Sequence, residues 1–341
     1  NRDKEGFTNC FQLLVEKDPQ DAKSYSMLGE AYLRILNPEA AVDALETAYR
    51  LDPRNSRLRG RIGRALVATH EYHRAVEFYE SAIKDVSRGM NANESKVEGS
   101  PGKNASSHHL SSEVIILSHD LAKLYIKLGR IQQSQNVLQR ILHAKESCKD
   151  MTDLRQNVTT LLLLSEIQCS DQAVSEGENR KSNLALAVDT LRQAHEHQKD
   201  VVSQVRGTGK GASHGDTGVQ REKDVLSDIC EKIASLEEEL EPSEYYQQSD
   251  NNDVTTGKIG KMNRKSDEMF NEALHHNPHN TQAMLGLARI NKKIGDLDRC
   301  RTHCQKIILS CGANTDGTGT EEIGSSDSLE DEAAILLSEV L

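Results

Sequence analysis

Tyr25-Ser26-Met27-Leu28-Gly29-Glu30-Ala31-Tyr32 is followed down the chain by Ala41, Leu45, Ala48 and Pro53, and this spacing decides the fold. Gly29 and Gly63, Leu28 and Ile62, Ala41 and Ala75, Ala48 and Ala82, and Pro19 and Pro53 are all 34 residues apart. Each period holds two stretches with apolar residues at helical spacing, which reads as a repeated helix–turn–helix unit. Gly29 and Ala41 fall where the two helices of a pair cross, and a larger side chain there would push the axes apart. Ala48 plays the same part against the next unit. Tyr25, Leu28, Tyr32 and Leu45 supply the buried stripe. Pro53 cannot continue the second helix and stiffens the turn, and Pro38 opens a helix where its missing N–H is not needed.

Further units follow with less regularity. Ile62, Gly63, Leu66, Ala75, Tyr79 and Ala82 make a second, with Ser87 where the turn proline would stand. A third holds Ile115, Leu121, Ala122, Tyr125, Leu138 and Ile141. A fourth holds Leu164, Ser165, Ala187, Leu191 and Ala194. The fifth pairs Ile233 and Ala234 with Phe270, Ala273 and Pro278. The sixth uses Met284, Leu287, Ala288, Cys300, Cys304 and Ile307. Phe7, Phe11 and Leu14 read as a lone second helix before Pro19, and residues 329–341 as the start of a further unit. A chain that begins and ends in mid-repeat is expected to be an excerpt of a longer array, because natural arrays carry polar caps.

Repeats therefore occupy residues 1–87, 113–205 and 266–311, with an isolated helix over 223–240. Residues 88–112, 206–222, 241–265 and 312–328, and a shorter stretch near 170–183, are rich in Ser, Asn, Gly and Lys. Such composition buries too little apolar surface to offset ordering entropy, so disordered inserts are expected there. Trp is absent and only four Phe occur, a lean supply for one globule but enough for stacked helix pairs. The net charge of −11 argues against nucleic acid as a partner. No apolar run approaches the roughly 20 residues of a membrane span, so no membrane insertion is expected. Seven scattered cysteines without a CxxC pair suit a reducing compartment. Three Asn-x-Ser/Thr matches, at Asn93, Asn104 and Asn157, are then chance.

The residues Arg61-Ile62-Gly63-Arg64-Ala65-Leu66-Val67-Ala68-Thr69-His70-Glu71-Tyr72 and Ala75-Val76-Glu77-Phe78-Tyr79-Glu80-Ser81-Ala82-Ile83-Lys84 carry more than the period. With Leu28–Tyr32, Leu121-Ala122-Lys123-Leu124, Ile229-Cys230-Glu231-Lys232-Ile233-Ala234 and Leu285-Gly286-Leu287-Ala288-Arg289, they resemble the tetratricopeptide-repeat subunit of intraflagellar transport complex A, the tetratricopeptide repeat protein 21 family. The resemblance covers most helical segments in order and fails in the inserts. It implies an all-α, tetratricopeptide-type solenoid, wound as a right-handed superhelix. It also implies a non-enzymatic scaffold without cofactor, in the cilium and cytoplasm, bound to the other subunits of that complex and supporting retrograde transport. Alternative readings are a chaperone or ubiquitin-ligase adaptor, or the repeat region of an enzyme whose catalytic domain lies elsewhere.

In this repeat type certain first-helix positions line a concave groove. Here they include Lys23, Arg34, Arg57, Arg64, Lys123, Lys127, Arg289, Lys292 and Lys293, interrupted by Glu30 and Glu166. A mostly basic groove on an acidic chain would receive acidic peptide segments. The clamp that chaperone-binding repeats use for a C-terminal carboxylate needs Lys and Asn where this chain has Ser26, Glu30 and Arg61. Cys300, His303 and Cys304, with His275, His276, His279 and Cys311 nearby, carry metal-ligand chemistry. However, Cys300 and Cys304 fall on core positions, where a free thiol acts as a small hydrophobe. Gly207-Thr208-Gly209-Lys210-Gly211 lacks the spacing of a phosphate loop.

Overall fold

The computed structural model describes residues 2–53, 55–94, 111–144, 150–170, 178–208, 215–240, 265–312 and 326–340. Among these residues all regular structure is helical, and the fourteen helices divide between two units, Asn1–Cys148 and Lys149–Leu341. Unit 1 holds α1 (Arg2–Lys17), α2 (Ala22–Arg34), α3 (Pro38–Leu51), α4 (Ser56–Ala68), α5 (Tyr72–Glu94), α6 (Ser112–Lys127) and α7 (Ile131–Ala144). Unit 2 holds α8 (Met151–Cys169), α9 (Glu178–Thr208), α10 (Gly215–Leu240), α11 (Lys265–His276), α12 (Thr281–Ile294), α13 (Leu297–Gly312) and α14 (Ser326–Val340). Even-numbered helices are the first, or A, helices of the repeats, and odd-numbered ones are the B helices.

The turn from A to B is the same in four repeats. Leu36, His70, Gly129 and Gly295 adopt φ of 61°, 63°, 70° and 85°. In each case the following residue donates its N–H across a wider loop: Asn37 to Tyr32, Glu71 to Leu66, Arg130 to Tyr125 and Asp296 to Asn291, at 2.8–3.0 Å. The left-handed residue itself donates to the carbonyl three positions back. This pair of bonds satisfies the orphaned carbonyls of the A helix and reverses the chain. Glycine fits that φ without strain, whereas leucine and histidine at the same place cost about 1 kcal/mol each.

The turn from B to the next A is built from another recurring string. Asp18-Pro19-Gln20-Asp21, Asp52-Pro53-Arg54-Asn55 and Asn277-Pro278-His279-Asn280 each start with an acid or amide and a proline. The fourth residue donates its N–H to the carbonyl of the first, at 3.1–3.3 Å, a β-turn for which proline sets φ in advance. Asp21 and Asn280 then cap the new helix, accepting from Lys23 and Ser24 N–H and from Ala283 N–H respectively. Asn37 caps α3 in the same way, ahead of Pro38.

Packing follows the small residues. In unit 1, Leu45, Ala48, Leu58, Ile62, Ala65, Leu66, Ala75 and Tyr79 form one buried cluster with Leu121, Leu124 and Tyr125. A Cβ on Gly29 would lie 2.6 Å from Leu45 Cγ, and one on Gly63 would collide with the Tyr79 ring. The Tyr125 hydroxyl donates to Glu80 at 2.5 Å, and burial together with that carboxylate pushes its phenol up to about 12. In unit 2, Phe270 is the corresponding large residue. It packs against Cys230, Ala234 and Leu287, and its ring fills the space a Cβ on Gly286 would need. Cys300, Cys304 and Ile307 join Ala288, Ala333 and Leu336 in a further cluster.

Several boundaries differ from the expected ones. Helix α5 runs on through Ser87 to Glu94. With no proline at Ser87, its hydroxyl donates to Ile83 C=O and the helix continues. Helix α9 is 31 residues long and begins within the stretch read as an insert near 170–183. Helix α10 begins at Gly215, inside the expected insert 206–222. Its early turns are held by Glu222, which accepts from Arg155 at 2.7 Å and from buried Gln198 at 2.9 Å. Helices α6, α9, α11, α13 and α14 also reach into the edges of the expected inserts, at residues 112, 206–208, 265, 312 and 326–328, and most of what remains falls outside the described residues. Leu14, one of the three apolar residues of the lone helix before Pro19, is 44 % exposed on α1, and the side chain of Phe7 lies outside the described set. Asn157 is buried within α8, which removes it as a glycan acceptor. No helix among the described residues is long and apolar enough to cross a membrane.

Candidate functional site

Helical spacing lines the charged A-helix residues up in stripes. Lys23 and Arg34 share a face of α2, Arg57 and Arg64 a face of α4, and Lys123 and Lys127 a face of α6. All six side chains are exposed. Neighbouring stripes are joined by ion pairs in a fixed register. Glu30, one residue after Gly29, lies 3.4 Å from Arg61, two residues before Gly63. Arg64, one residue after Gly63, lies 3.1 Å from Asp120, two residues before Ala122. The sign of the pair reverses between the two junctions while the geometry is kept. Arg61 also donates to Ser26 Oγ at 2.8 Å. Deeper between α4 and α6, Arg59 pairs with Glu113 at 2.6 Å and lies over the Tyr49 ring.

In unit 2 the same device absorbs all three groove cations expected from the sequence. Arg289 sits 3.1 Å from Glu332 and 3.8 Å from Glu238. Lys293 pairs with Glu238 at 2.5 Å, and Lys292 pairs with Glu339. The Glu238 carboxylate is only 10 % exposed, so the two cations that meet it replace most of its hydration. The cations of α12 therefore tie it to α10 on one side and to α14 on the other.

Unit 1 differs. Among the described residues Lys23, Arg34, Arg57 and Lys123 enter no ion pair, and Lys127 places its ammonium 5.0 Å from the centre of the Tyr72 ring. These five exposed cations carry no ion pair to a neighbouring helix among the described residues.

The cysteine and histidine candidates of the C-terminal repeats do not converge. Cys300 and Cys304 are fully buried among apolar residues. Burial, then the neighbouring Cys300, pushes the Cys304 thiol up to about 11, which makes it inert at neutral pH. Burial lowers the pKa of His303, whose Nδ1 has no partner among the described residues. The side chain of Cys311 and residues 209–211 lie outside the described set. Two features escaped sequence reasoning. One is the set of acids, Asp120, Glu238, Glu332 and Glu339, that meet the groove cations. The other is the convergence of His195, Cys230 and Glu272 from three helices of unit 2. Neither has a local spacing signal, because the partners are separated by more than a helix of chain.

A family model described as "Tetratricopeptide repeat protein 21 forth ARM domain" matches residues 106–249, and a tetratricopeptide-repeat model matches residues 11–89. Human tetratricopeptide repeat protein 21B is 26 % identical over 309 residues, covering 91 % of this chain and 19 % of that protein. Human tetratricopeptide repeat protein 21A is 25 % identical over 307 residues, covering 90 % and 18 %. The chain thus spans about a fifth of the length of the curated relatives it matches. Among solved structures, the assembly chaperone of RpL4 (Acl4, residues 1–338) superposes with a TM-score of 0.48 at 13 % identity, over 84 % of each chain.

Proposed function

We propose that this chain, which resembles the tetratricopeptide repeat protein 21 family, is part of a scaffold subunit of intraflagellar transport complex A. In this reading it holds other subunits of that complex during retrograde transport in the cilium. The observation that carries the reading is the similarity to relatives of that family along nine-tenths of the chain. The mechanism is one of shape and charge. The ion pairs between successive A helices fix the spacing of the repeats within each unit. The open cations of unit 1, Lys23, Arg34, Arg57, Lys123 and Lys127, then present a basic strip of set geometry to an acidic segment of a partner. Such a strip speeds encounter and fixes register, and binding through it weakens as salt rises.

The test is localisation of the tagged intact protein in ciliated cells, with mass spectrometry of what co-purifies. Enrichment in cilia together with complex A subunits supports the reading. Absence from both overturns the ciliary assignment.

A further inference from the structure

We propose that His195, Cys230, Glu272 and His276 form a zinc site that clamps α9, α10 and α11 together. The inference is independent of what the array binds. His195 Nε2, Cys230 Sγ and a Glu272 carboxylate oxygen lie within 4.8 Å of one another, each from a different helix. His276 stands one turn beyond Glu272 on α11, so both face the same way. Its Nε2 is 3.8 Å from Glu272 Oε1, and His195 Nε2 is 3.2 Å from the same oxygen. Nitrogen and oxygen ligands of a tetrahedral zinc ion stand about 3.4 Å apart, given bonds of roughly 2.0–2.1 Å. The two separations from Glu272 bracket that value, while His276 stands outside the 4.8 Å group of the other three and would turn inward as the fourth ligand.

The donor set suits zinc. One thiol, two imidazoles and one carboxylate are the ligand types that this borderline-soft ion takes in closed four-coordinate sites. Cys230 is fully buried and His195 nearly so, which would exclude water from most of the coordination sphere. His195 Nδ1 lies 3.5 Å from Glu196, so a carboxylate stands ready to orient the imidazole from behind. Burial, with Glu272 nearby, pushes the Cys230 thiol up to about 12, so it starts protonated. On binding, the S–H bond breaks, the S–Zn bond forms and the proton leaves to solvent. Lys199 now sits 3.1 Å from Glu272. Its side chain is 43 % exposed and has Glu196 within 4.0 Å, so it can swing away as the ion enters.

The test is a competition titration of the chelator-stripped intact protein with zinc, paired with the absorption spectrum of the cobalt-loaded form. One tightly held ion per chain is expected, with a thiolate-to-cobalt charge-transfer band. Cys230→Ala should remove that band and weaken zinc binding at least about 100-fold. Glu272→Gln and His276→Ala, whose side chains reach solvent, should weaken it at least about 10-fold. Cys10→Ala, at an exposed thiol on α1, should change nothing. Saturating zinc should raise the unfolding midpoint of unit 2 by roughly 5 °C or more. Absence of stoichiometric binding at micromolar free zinc would overturn the proposal, and so would binding undiminished in Glu272→Gln and His276→Ala. The cluster would then be an ion-pair network around Glu272 alone.

Discussion

The two units use one repeat and one kind of surface charge differently. In unit 1 the A helices are short, joined to their B helices by tight turns, and carry cations that mostly face water. In unit 2 two helices lengthen, to 31 residues in α9 and 26 in α10; α12 keeps the tight turn of unit 1, but its cations are spent on Glu238, Glu332 and Glu339. A row of Lys and Arg on helix faces is therefore not by itself a binding groove. Whether it binds depends on which acids the neighbouring helices bring, and that is a property of the packed array.

The largest effect should come from filling the helix crossings. Gly63→Val forces a side chain into the Tyr79 ring and should destabilise unit 1 by about 3 kcal/mol. Gly286→Val should do the same to unit 2 through Phe270. Denaturant unfolding combined with limited proteolysis reads which unit opens first. If each substitution loosens both units equally, the division into two compact units fails.

Next come the ion pairs. Glu238→Ala leaves Arg289 and Lys293 facing each other without their shared acid, and should cost about 2 kcal/mol. Asp120→Ala removes a partner from Arg64, whose side chain is 57 % exposed, and should cost no more than about 0.5 kcal/mol. Equal losses in thermal melts would erase the contrast between the units.

Smaller still are the turns. Leu36→Gly relieves a left-handed residue that is 82 % exposed, and should stabilise unit 1 by up to about 1 kcal/mol. Gly295→Ala imposes the same strain on unit 2 and should destabilise it by about 1 kcal/mol. The last difference is pH. His303 has a lowered pKa in the fold because burial, with Lys306 and Arg299 nearby, disfavours its charged form. The unfolded chain therefore takes up the proton first as pH falls below the ordinary histidine value of 6.5. That stability is present at neutral pH and is lost on acidification through that window. His303→Gln should flatten the acid side of the unit 2 melting profile.

The repeat itself was legible because its constrained positions are few and local. Gly29, Ala41, Leu45 and Ala48 recur as Gly63, Ala75, Tyr79 and Ala82, and all are buried. Phe270 and Ala273 were rightly joined to Ile233 and Ala234 across a long low-complexity stretch, since apolar spacing survives interruption. Helix ends were less legible. The absence of a breaker at Ser87 and the tertiary hold on Glu222 extend α5 and α10 through polar sequence that composition alone reads as loop. Turn geometry was partly hidden too: Gly129 and Gly295 announce a left-handed residue, but Leu36 and His70 occupy the same place without announcing it. The nine cations read as groove residues lie on A helices, as their spacing implied. Their division into paired and open sets, and the meeting of His195, Cys230 and Glu272, depend on contacts between residues far apart in sequence.

The most direct test of the account is quantitative affinity purification from ciliated cells of the intact protein carrying Lys23→Glu, Arg57→Glu and Lys123→Glu together. The control carries Arg50→Glu and Lys84→Glu, at exposed cations on the B helices α3 and α5. The first set should lower recovery of complex A subunits at least about 10-fold with the melting temperature unchanged, while the control keeps it. Recovery equal to that of the unaltered protein in both would contradict it.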